Sequence, residues 1–380
     1  MRIGVNTRFL LSSKMEGFGW YTYEVVKRLV EAHPEHEFVF FFDRPFDRKF
    51  IFAKNVTPVV LFPPARHPIL FKIWFNYSIK RALKKYKIDV FYSPDGYLSL
   101  NSNIPQVGVI HDINFEHYPE DIPARPLSYL RKYFPKFAEK ATKLLTVSEY
   151  SKQDIVSTYK IDPAKITVAW NGASEKFIPQ NKAKIEEVRK RYTNEKPYFI
   201  FVGAIHPRKN VNRLIAAFEE FAKKNASIDL LLVGESMWDN PAFSSNIQSD
   251  NLKSRIRFTG HVQLEELVLL MGAAHSLVFV SYFEGFGIPL VEAMRCGIPI
   301  ISGNLTSLPE VVGEAALLVN PFKVDEITKA MHRLADDKIL YEELAQKGLK
   351  RSALFSWDNT AQATWNVLEE VLTQVKSSNL

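Results

Sequence analysis

The sequence predicts an α/β protein built from two doubly wound parallel sheets. At 380 residues the chain is longer than a single hydrophobic core usually serves, which favours two domains. Short runs of β-branched and aromatic residues alternate with amphipathic helical patterns almost throughout, as βαβ units require. The alternation stops near the middle of the chain and then starts again, so we expect one sheet in each half.

The predicted strands form two series that are separated by a polar segment. The first series is Arg2–Phe9, Glu37–Phe42, Thr57–Phe62, Asp89–Tyr92, Gln106–Ile110 and Lys143–Val147. The second is Tyr198–Val202, Asp229–Val233, Arg255–Phe258, Ser276–Val280 and Ile298–Ile301. We place the linker at Asn171–Ser174 and the following polar stretch Asn181–Lys196. The predicted domains are 1–172 and 173–356, with a C-terminal helix at about 357–380 that packs back on the first domain.

Composition limits the class of protein. Hydrophobic residues make up 46% and charged residues 24%, as in soluble globular proteins, which argues against disorder. The single cysteine, Cys296, excludes an intramolecular disulfide and metal sites made of two or four cysteines. The sequence has neither a cleavable signal pattern nor an apolar run of the roughly 20 residues that cross a bilayer. We therefore expect a cytoplasmic protein whose membrane contact is peripheral.

The formal net charge of +7 indicates an anionic partner or a merely basic surface. Nucleotide phosphates, nucleic acid and acidic lipid would each complement this charge. The total alone does not choose among them.

The first candidate site is Glu284–Glu292, which follows the predicted strand Ser276–Val280. Glycines in this stretch let the backbone approach a ligand, and the start of the following helix attracts phosphate or sugar oxygens. Glu284 lies at the carboxyl end of a parallel strand, where open α/β sheets bind ligands. Glu292, taken alone, is more simply explained as an acidic residue that complements a helix dipole.

The second candidate site is the turn Gly203–Asn210, between the first strand of the second domain and the next helix. Its adjacent cations, Arg208 and Lys209, suit a pyrophosphate. Two solvated surface cations are the competing interpretation.

Two weaker candidates lie in the first domain. Gly17-Phe18-Gly19 follows the first strand, in a loop before a helix, and would bring backbone N–H groups to a phosphate. It lacks the spacing of a dinucleotide-binding fingerprint. His111, at the exit of Gln106–Ile110, would hydrogen-bond a sugar hydroxyl, although a structural role is common at such a position.

Together these segments resemble the retaining glycosyltransferases of the large fourth family, which have the GT-B fold. The most specific match is Glu284-Gly285-Phe286-Gly287-Ile288-Pro289-Leu290-Val291-Glu292-Ala293-Met294, which contains the family's E-x7-E motif. Phe258–Val262, Cys296–Ile301 and Leu308–Gly313 also resemble family segments, so the similarity runs along nearly the whole chain. It implies two Rossmann-like domains that face a deep cleft.

The resemblance also implies residue roles. Glu284, Arg208, Lys209 and His111 would be the catalytic residues, with Glu284 on the donor sugar, the two cations on the diphosphate and His111 near the reacting sugar. Glu292 would bind the ribose. The remaining donor-binding residues would be Gly17, Gly19, Val262, Gly285, Phe286, Gly287 and Ile288. One departure is Ala204, where many members have arginine; Arg208 would supply that charge, and Lys209 is the safer assignment.

The activity implied is metal-independent transfer of a hexose with retention of configuration, without a cofactor. The resemblance to bacterial mannosyltransferases favours transfer of mannose from GDP-mannose, with UDP-glucose or UDP-N-acetylglucosamine as alternative donors. The implied acceptor is a glycan or a lipid-linked glycan in bacterial polysaccharide or lipopolysaccharide synthesis. A sugar-nucleotide epimerase would lack the E-x7-E motif, and a phosphorylase would be much longer and carry pyridoxal. No recognised motif supports nucleic-acid binding.

A segment of the first domain suggests contact with an anionic membrane. Phe71–Lys87 mixes large apolar residues with a run of cations, which is typical of an interfacial helix. Leu127–Lys143 would extend the same surface. The competing interpretation is a half-buried helix with a solvated basic face.

Overall fold

The chain folds around two parallel β-sheets. The structure is a computed structural model that describes residues 1–12, 15, 17–65, 67–235 and 250–378. In those ranges the first sheet contains β1 (Arg2–Asn6), β2 (Glu37–Phe42), β3 (Val56–Val60), β4 (Val90–Ser93), β5 (Gln106–Val109), β6 (Lys143–Thr146) and β7 (Ile166–Val168). The second contains β8 (Tyr198–Val202), β9 (Asp229–Val233), β10 (Ile256–Gly260), β11 (Ser276–Phe279), β12 (Ile300–Gly303) and β13 (Ala316–Val319).

Both sheets have the doubly wound strand order. The first runs β3-β2-β1-β4-β5-β6-β7 and the second β10-β9-β8-β11-β12-β13, with each pair parallel. In each sheet the order reverses direction beside the first strand of its series, which is where such sheets bind ligands. The α/β class and the pair of parallel sheets are confirmed.

Helices connect the strands. They are α1 (Gly17–Ala32), α2 (Pro68–Ile73), α3 (Lys80–Lys85), α4 (Asn114–His117), α5 (Ala124–Lys140), α6 (Glu149–Tyr159), α7 (Lys182–Thr193), α8 (Val211–Ala222), α9 (Asp250–Lys253), α10 (Leu264–Ala273), α11 (Ile288–Cys296), α12 (Leu308–Val312), α13 (Val324–Asp336), α14 (Lys338–Ser352) and α15 (Trp357–Ser378). A π-helical turn, Trp74–Ile79, joins α2 to α3, and single 3₁₀ turns lie at Arg48–Phe50, Pro119–Asp121, Pro163–Lys165 and Pro207–Lys209.

The chain divides into two compact units. Unit 1 comprises residues 1–171 and 356–380, and unit 2 comprises residues 172–355. The predicted domains were 1–172 and 173–356, with the last helix returned to the first. Residues 379 and 380 of that predicted helix lie outside the described residues.

Helix α15 is tied to unit 1 by specific contacts. The ring of Trp365 stacks on His33 of α1 with centroids 3.4 Å apart. The Thr360 hydroxyl donates to the carbonyl of Trp170 over 2.6 Å. These contacts bury one face of the helix on the same unit as α1.

Several predicted boundaries were wrong. β1 ends at Asn6 instead of Phe9 because the chain then turns inward and buries Arg8, whose Nε lies 2.6 Å from the Asp95 carboxylate. Asn181–Lys196 is not a linker: most of it is α7, whose Arg189 donates to the carbonyl of Ala273 on α10. Gly17 and Gly19 lie in the first turn of α1, not in a loop before it.

The edge strands β7 and β13 were not predicted. Ile166–Val168 has only three residues, and Ala316–Val319 is largely half-exposed. Three residues are too few to show an alternation that separates β7 from a loop, and the residues Ala-Leu-Leu-Val of β13 do not favour a strand over a helix. Thr57–Phe62 was predicted, and its Pro58 fits the edge position of β3, where a missing N–H breaks no hydrogen bond within the sheet.

The segment Phe71–Lys87 is only half exposed. Trp74, Phe75, Ile79 and Leu83 lie in the hydrophobic core of unit 1, so the large apolar residues that suggested an interfacial helix are mostly structural. Leu127–Lys143 behaves similarly, because Phe134 of α5 joins the same core. The exposed face of α2 and the turn after it is described below with the proposed partners.

Candidate functional site

The loop after β11 carries Glu284 and leads into α11. β11 is fully buried, and α11 begins at Ile288 with Pro289 in its first turn. Gly287 precedes the helix with φ of +95°, a conformation that favours glycine. A Cβ atom there would lie 3.2 Å from the Leu308 side chain, so the loop rests closely on the start of α12.

Glu284 is a buried carboxylate that contacts two cations. Its Oε1 lies 2.6 Å from Lys209 Nζ and its Oε2 lies 3.0 Å from an Arg208 guanidinium nitrogen, while the residue is only 5% exposed. Burial alone would raise the pKa of Glu284, but the charges of Lys209 and Arg208 outweigh burial and hold the pKa below its ordinary value. Glu284 is therefore ionised at neutral pH. We call these three residues the charge cluster.

Arg208 and Lys209 lie on a rigid turn after β8. The 3₁₀ turn Pro207–Lys209 ends at Asn210, which has φ of +59°. The buried Asn210 side chain donates to the carbonyls of Val280 and Pro321 over 3.0 and 2.6 Å. These bonds fix the turn against the ends of other strands and hold both cations at the carboxyl edge of the sheet.

The cation turn and the glutamate loop are also joined directly. The backbone N–H of Tyr282 donates to the carbonyl of Arg208 over 3.0 Å. The Arg208 guanidinium donates to the carbonyl of Phe283 over 3.2 Å. Arg208 thus binds both the backbone before Glu284 and the Glu284 carboxylate, so it positions this loop as well as carrying charge.

Glu292 has a different environment. It is the fifth residue of α11 and half-buried, and it lies beyond the first turn, so the helix-dipole explanation does not fit its position. Among the described residues, no hydrogen bond or ion pair to its carboxylate is present. Burial raises the pKa of Glu292 to about 8. A half-buried carboxyl group with a raised pKa, and with no hydrogen-bond or ion-pair partner among the described residues, is typical of ligand sites.

The other predicted donor-binding residues of unit 2 lie in these loops or follow β10. Gly285, Phe286 and Ile288 belong to the loop of Glu284 and the start of α11, and Phe286 is buried against Phe355 with ring centroids 5.6 Å apart. Val262 is half-buried, two residues after β10. Because β8, β10 and β11 are parallel strands of one sheet, all of these residues follow carboxyl ends at the same edge.

His111 lies in unit 1 and is held in one orientation. Its Nε2 lies 2.8 Å from the carbonyl of Pro94, which can only accept, so Nε2 carries the proton. The rings of Phe18 and Tyr21 meet it edge-on at 4.8 and 4.7 Å. Burial lowers the pKa of His111, so the ring is neutral and Nδ1 is an acceptor.

The two glycines beside Phe18 differ. A Cβ atom on Gly17 would meet nothing within 4 Å, whereas one on Gly19 would lie 2.8 Å from the Phe9 carbonyl oxygen. Close packing inside unit 1 therefore explains why position 19 requires glycine. Packing gives no such reason for glycine at position 17.

Sequence reasoning missed the residues that hold the backbone of Glu284. The Glu284 N–H donates to the Thr306 hydroxyl over 3.2 Å, and the Ser307 hydroxyl donates to the Glu284 carbonyl over 2.9 Å. Thr306 has φ of +57°. The only sequence signal was a serine just before the start of a helix at Leu308-Pro309. Nothing in the sequence linked that serine to a residue 23 positions earlier.

The chain matches two family models and is similar to known proteins over its length. Residues 15–176 match the model described as Glycosyltransferase Family 4, and residues 183–351 match the model described as Glycosyl transferases group 1. O-antigen chain mannosyltransferase B of Escherichia coli is 30% identical over 368 residues, which cover 93% of this chain and 95% of that protein. The chain belongs to glycosyltransferase family 4.

Solved structures agree with this assignment. Sucrose-phosphate synthase from Thermosynechococcus elongatus superposes with a TM-score of 0.79 at 19% identity, covering 98% of this chain and 99% of that one. HepE from Anabaena, solved in complex with UDP-glucose, gives 0.77 at 18% identity, covering 97% and 100%. The predicted GT-B fold of this glycosyltransferase is thereby confirmed. Within the described ranges, no helix is long and apolar enough to cross a membrane.

Proposed function

We propose that this glycosyltransferase moves mannose from GDP-mannose to a glycan acceptor, with retention of the anomeric configuration and without a metal ion. The charge cluster is the observation that carries the nucleotide-sugar assignment. Two cations and one carboxylate meet at the carboxyl edge of the sheet, beside a glycine-rich loop. The choice of mannose rests on the similarity to an O-antigen mannosyltransferase along nearly the whole of both chains.

The charge of the cluster suits a nucleoside diphosphate leaving group. Arg208 and Lys209 offset the single negative charge of Glu284 and leave one net positive charge to meet a diphosphate. When the bond between the sugar C1 and the phosphate oxygen breaks, negative charge grows on that oxygen, and fixed cations stabilise it as a metal ion does elsewhere. The acceptor hydroxyl bonds to C1 from the same face and gives its proton to the leaving phosphate oxygen. No side chain acts as a nucleophile.

The two glutamates would bind different parts of the donor. Glu284, once its cations bind phosphate, has carboxylate oxygens available for the sugar hydroxyls. Glu292 lies eight positions later on α11 and has a carboxyl group without a partner in the described structure, which suits the ribose diol. Val262 would lie near the base, and His111 would accept a hydrogen bond from a sugar hydroxyl through Nδ1.

UDP-glucose is the second candidate donor. HepE shares the fold and was solved with UDP-glucose. UDP-N-acetylglucosamine is a further alternative within the same family.

A donor panel separates these candidates. Thermal unfolding would be followed with GDP-mannose, UDP-glucose or UDP-N-acetylglucosamine at about 100 times a typical micromolar Kd, where a ligand of the folded state adds about 2.7 kcal/mol. We expect GDP-mannose to raise Tm most and to release GDP on incubation. A larger shift with a UDP-sugar would replace mannose in the proposal, and no shift with any of them would overturn the nucleotide-sugar assignment.

We further propose that the acceptor is lipid-linked and that unit 1 meets an anionic membrane. Ile69, Ile73 and Tyr77 recur every four residues through α2 and the π-helical turn, and Ile69 and Tyr77 are 64% and 62% exposed. Phe62 is 82% exposed, and its carbonyl accepts from Ser78 over 2.6 Å, which ties it to the same helix. We call these four residues the α2 surface.

Cations flank the α2 surface. Lys72, Lys80, Arg81 and Lys84 are all exposed. A cavity of about 520 Å³ adjoins Ile69 and is also lined by Arg125 of α5. Exposed apolar side chains bordered by basic residues suit the headgroup region of an anionic bilayer, where each nearby cation contributes about 1 kcal/mol.

Vesicle co-sedimentation tests whether the α2 surface binds an anionic membrane. We expect binding to vesicles rich in phosphatidylglycerol, weaker binding at high salt and none to neutral vesicles. The variant Ile69→Ser/Tyr77→Ser should lose binding, while Ile339→Ser, which changes an 81% exposed residue of unit 2, should retain it. Equal binding to neutral and anionic vesicles, or full binding by the double variant, would end the proposal.

A further inference from the structure

Thr306 has an unusual backbone conformation next to the charge cluster. Its φ of +57° places a β-branched residue in the left-handed region, which costs energy and is rarely seen for threonine. Such strain persists where the surrounding structure requires it, and it concentrates at functional sites. Thr306 is half-buried in the loop between β12 and α12.

The strained loop holds both backbone polar groups of one residue. The Thr306 hydroxyl accepts from the N–H of Glu284 over 3.2 Å. The adjacent Ser307, which is fully buried, donates its hydroxyl to the carbonyl of Glu284 over 2.9 Å. Two consecutive hydroxyl groups therefore bind the two ends of the Glu284 backbone.

The Glu284 side chain is held separately by Lys209 and Arg208. A bound donor diphosphate would compete for those cations, and the carboxylate would then lose part of its support. The hydroxyls of Thr306 and Ser307 bond to the backbone of Glu284 and not to its carboxylate, so these bonds would persist when the cations bind phosphate. They hold the Glu284 backbone independently of the bonds between its carboxylate and the two cations.

We propose that Thr306 and Ser307 are positioning residues that hold Glu284 at the donor sugar, and that the strain at Thr306 is retained for this purpose. This inference rests on the proposed function of Glu284 as the residue that grips the sugar. Positioning errors of about 1 Å reduce turnover by as much as about 100-fold. The effect should appear in kcat, because the diphosphate is bound by other residues.

The test compares Thr306→Val with Thr306→Ser. Valine keeps the branched shape and removes the hydroxyl, whereas serine keeps the hydroxyl. We expect Thr306→Val to lower kcat for mannose transfer about 10-fold and to leave the Kd of GDP within about 2-fold. Thr306→Ser should restore kcat to within about 3-fold of the unaltered protein. Unchanged kcat in Thr306→Val would overturn the proposal.

Thr306→Gly separates positioning from stability. Glycine adopts positive φ freely, so this variant removes the strain together with the hydroxyl, and its Tm should stay close to that of the unaltered protein. We expect its kcat to fall as in Thr306→Val. A fall in Tm with unchanged kcat per folded molecule would show a structural role only. If the unaltered protein transfers no sugar from any donor in the panel, the proposed function fails and this inference fails with it. Transfer by the unaltered protein together with unchanged kcat in Thr306→Val overturns this inference alone.

Discussion

Lys209 Nζ lies 2.6 Å from Glu284 Oε1, so a cation assigned to the donor diphosphate is paired with a protein carboxylate in the donor-free chain. Arg208 makes the same kind of contact with the other oxygen. Under the proposed function, donor binding would be an exchange of anions at the charge cluster, in which phosphate oxygens replace carboxylate oxygens. Because Glu284 competes with phosphate for the same cations and also binds the sugar, its removal should strengthen GDP binding and slow sugar transfer.

Glu284→Gln should bind GDP more tightly and transfer sugar more slowly. Removing the negative charge frees Lys209 and Arg208 for the diphosphate, and we expect the Kd of GDP to fall about 3- to 10-fold. Transfer should drop about 100-fold, because the hydroxyls of the donor sugar lose the charged carboxylate that accepts their hydrogen bonds. Calorimetric titration of GDP and initial rates of transfer measure the two effects. Weaker GDP binding in this variant would contradict the exchange.

Lys209→Ala should be more damaging than Arg208→Ala. The Lys209 side chain is the less exposed of the two and makes the shorter contact with Glu284. We expect kcat/KM to fall about 100- to 1000-fold for Lys209→Ala and about 10-fold for Arg208→Ala. The matched control is Lys223→Ala, because Lys223 is an exposed lysine paired with Glu220 at the end of the helix after this turn. A larger loss of kcat/KM in Arg208→Ala than in Lys209→Ala would show that Arg208 contributes more than Lys209 to stabilising the diphosphate.

Glu292→Gln should stabilise the donor-free protein at alkaline pH. The unfolded chain ionises Glu292 near pH 4.5, whereas the folded chain keeps it protonated up to about pH 8. Between these values the unfolded state has lost a proton that the folded state retains, so stability falls as pH rises. The variant does not lose this stability. The full shift from 4.5 to about 8 would correspond to about 4.8 kcal/mol, but Glu292 is only half-buried, and solvent screening should reduce the difference in unfolding free energy at pH 8.5 to about 2 kcal/mol.

The pH comparison contains its own control. Well below pH 4.5, both states of the unaltered protein are protonated at Glu292, and the pH-dependent difference between the two proteins should disappear. Thermal melts across this range measure the difference. A difference that does not change with pH would show that Glu292 is ionised in the folded chain.

Gly17→Ala tests the predicted approach of the first glycine to phosphate. A Cβ atom at Gly17 would meet nothing within 4 Å, and Gly17 is the first residue of α1, so alanine should not lower stability. If the backbone of Gly17 approaches the donor, kcat/KM should nevertheless fall, by about 10-fold. Gly19→Ala is the contrasting variant, because its Cβ would meet the Phe9 carbonyl and stability itself should fall. Full activity in Gly17→Ala would remove this glycine from the site.

Most of the fold could be predicted from the sequence, because apolar runs and helical patterns are local signals. Eleven strands were predicted from such runs, whereas β7 has only three residues and the residues Ala-Leu-Leu-Val of β13 do not favour a strand over a helix. The polar surface of α7 made a helix resemble a linker, since its burial depends on α10, which lies far along the chain. Large apolar residues of Phe71–Lys87 resembled a membrane surface because sequence does not show which face packs inward.

The residues of the charge cluster were singled out from the sequence, but their contacts with one another were not predicted. Arg208, Lys209 and Glu284 stood out as motifs after predicted strands, yet their mutual contact depends on β8 and β11 being neighbours. Thr306 gave no signal, because a positive φ at threonine is imposed by tertiary contacts and not by its own preference. Its hydrogen bond to Glu284 joins residues 22 positions apart.

The most direct test of the central claim is a calorimetric titration of GDP into the unaltered protein, Lys209→Ala and Lys223→Ala under identical salt. If Arg208 and Lys209 hold the diphosphate of a nucleotide sugar, Lys209→Ala will bind GDP at least about 10-fold more weakly, and Lys223→Ala will match the unaltered protein. Equal affinity in all three proteins would contradict the assignment of the charge cluster to the donor.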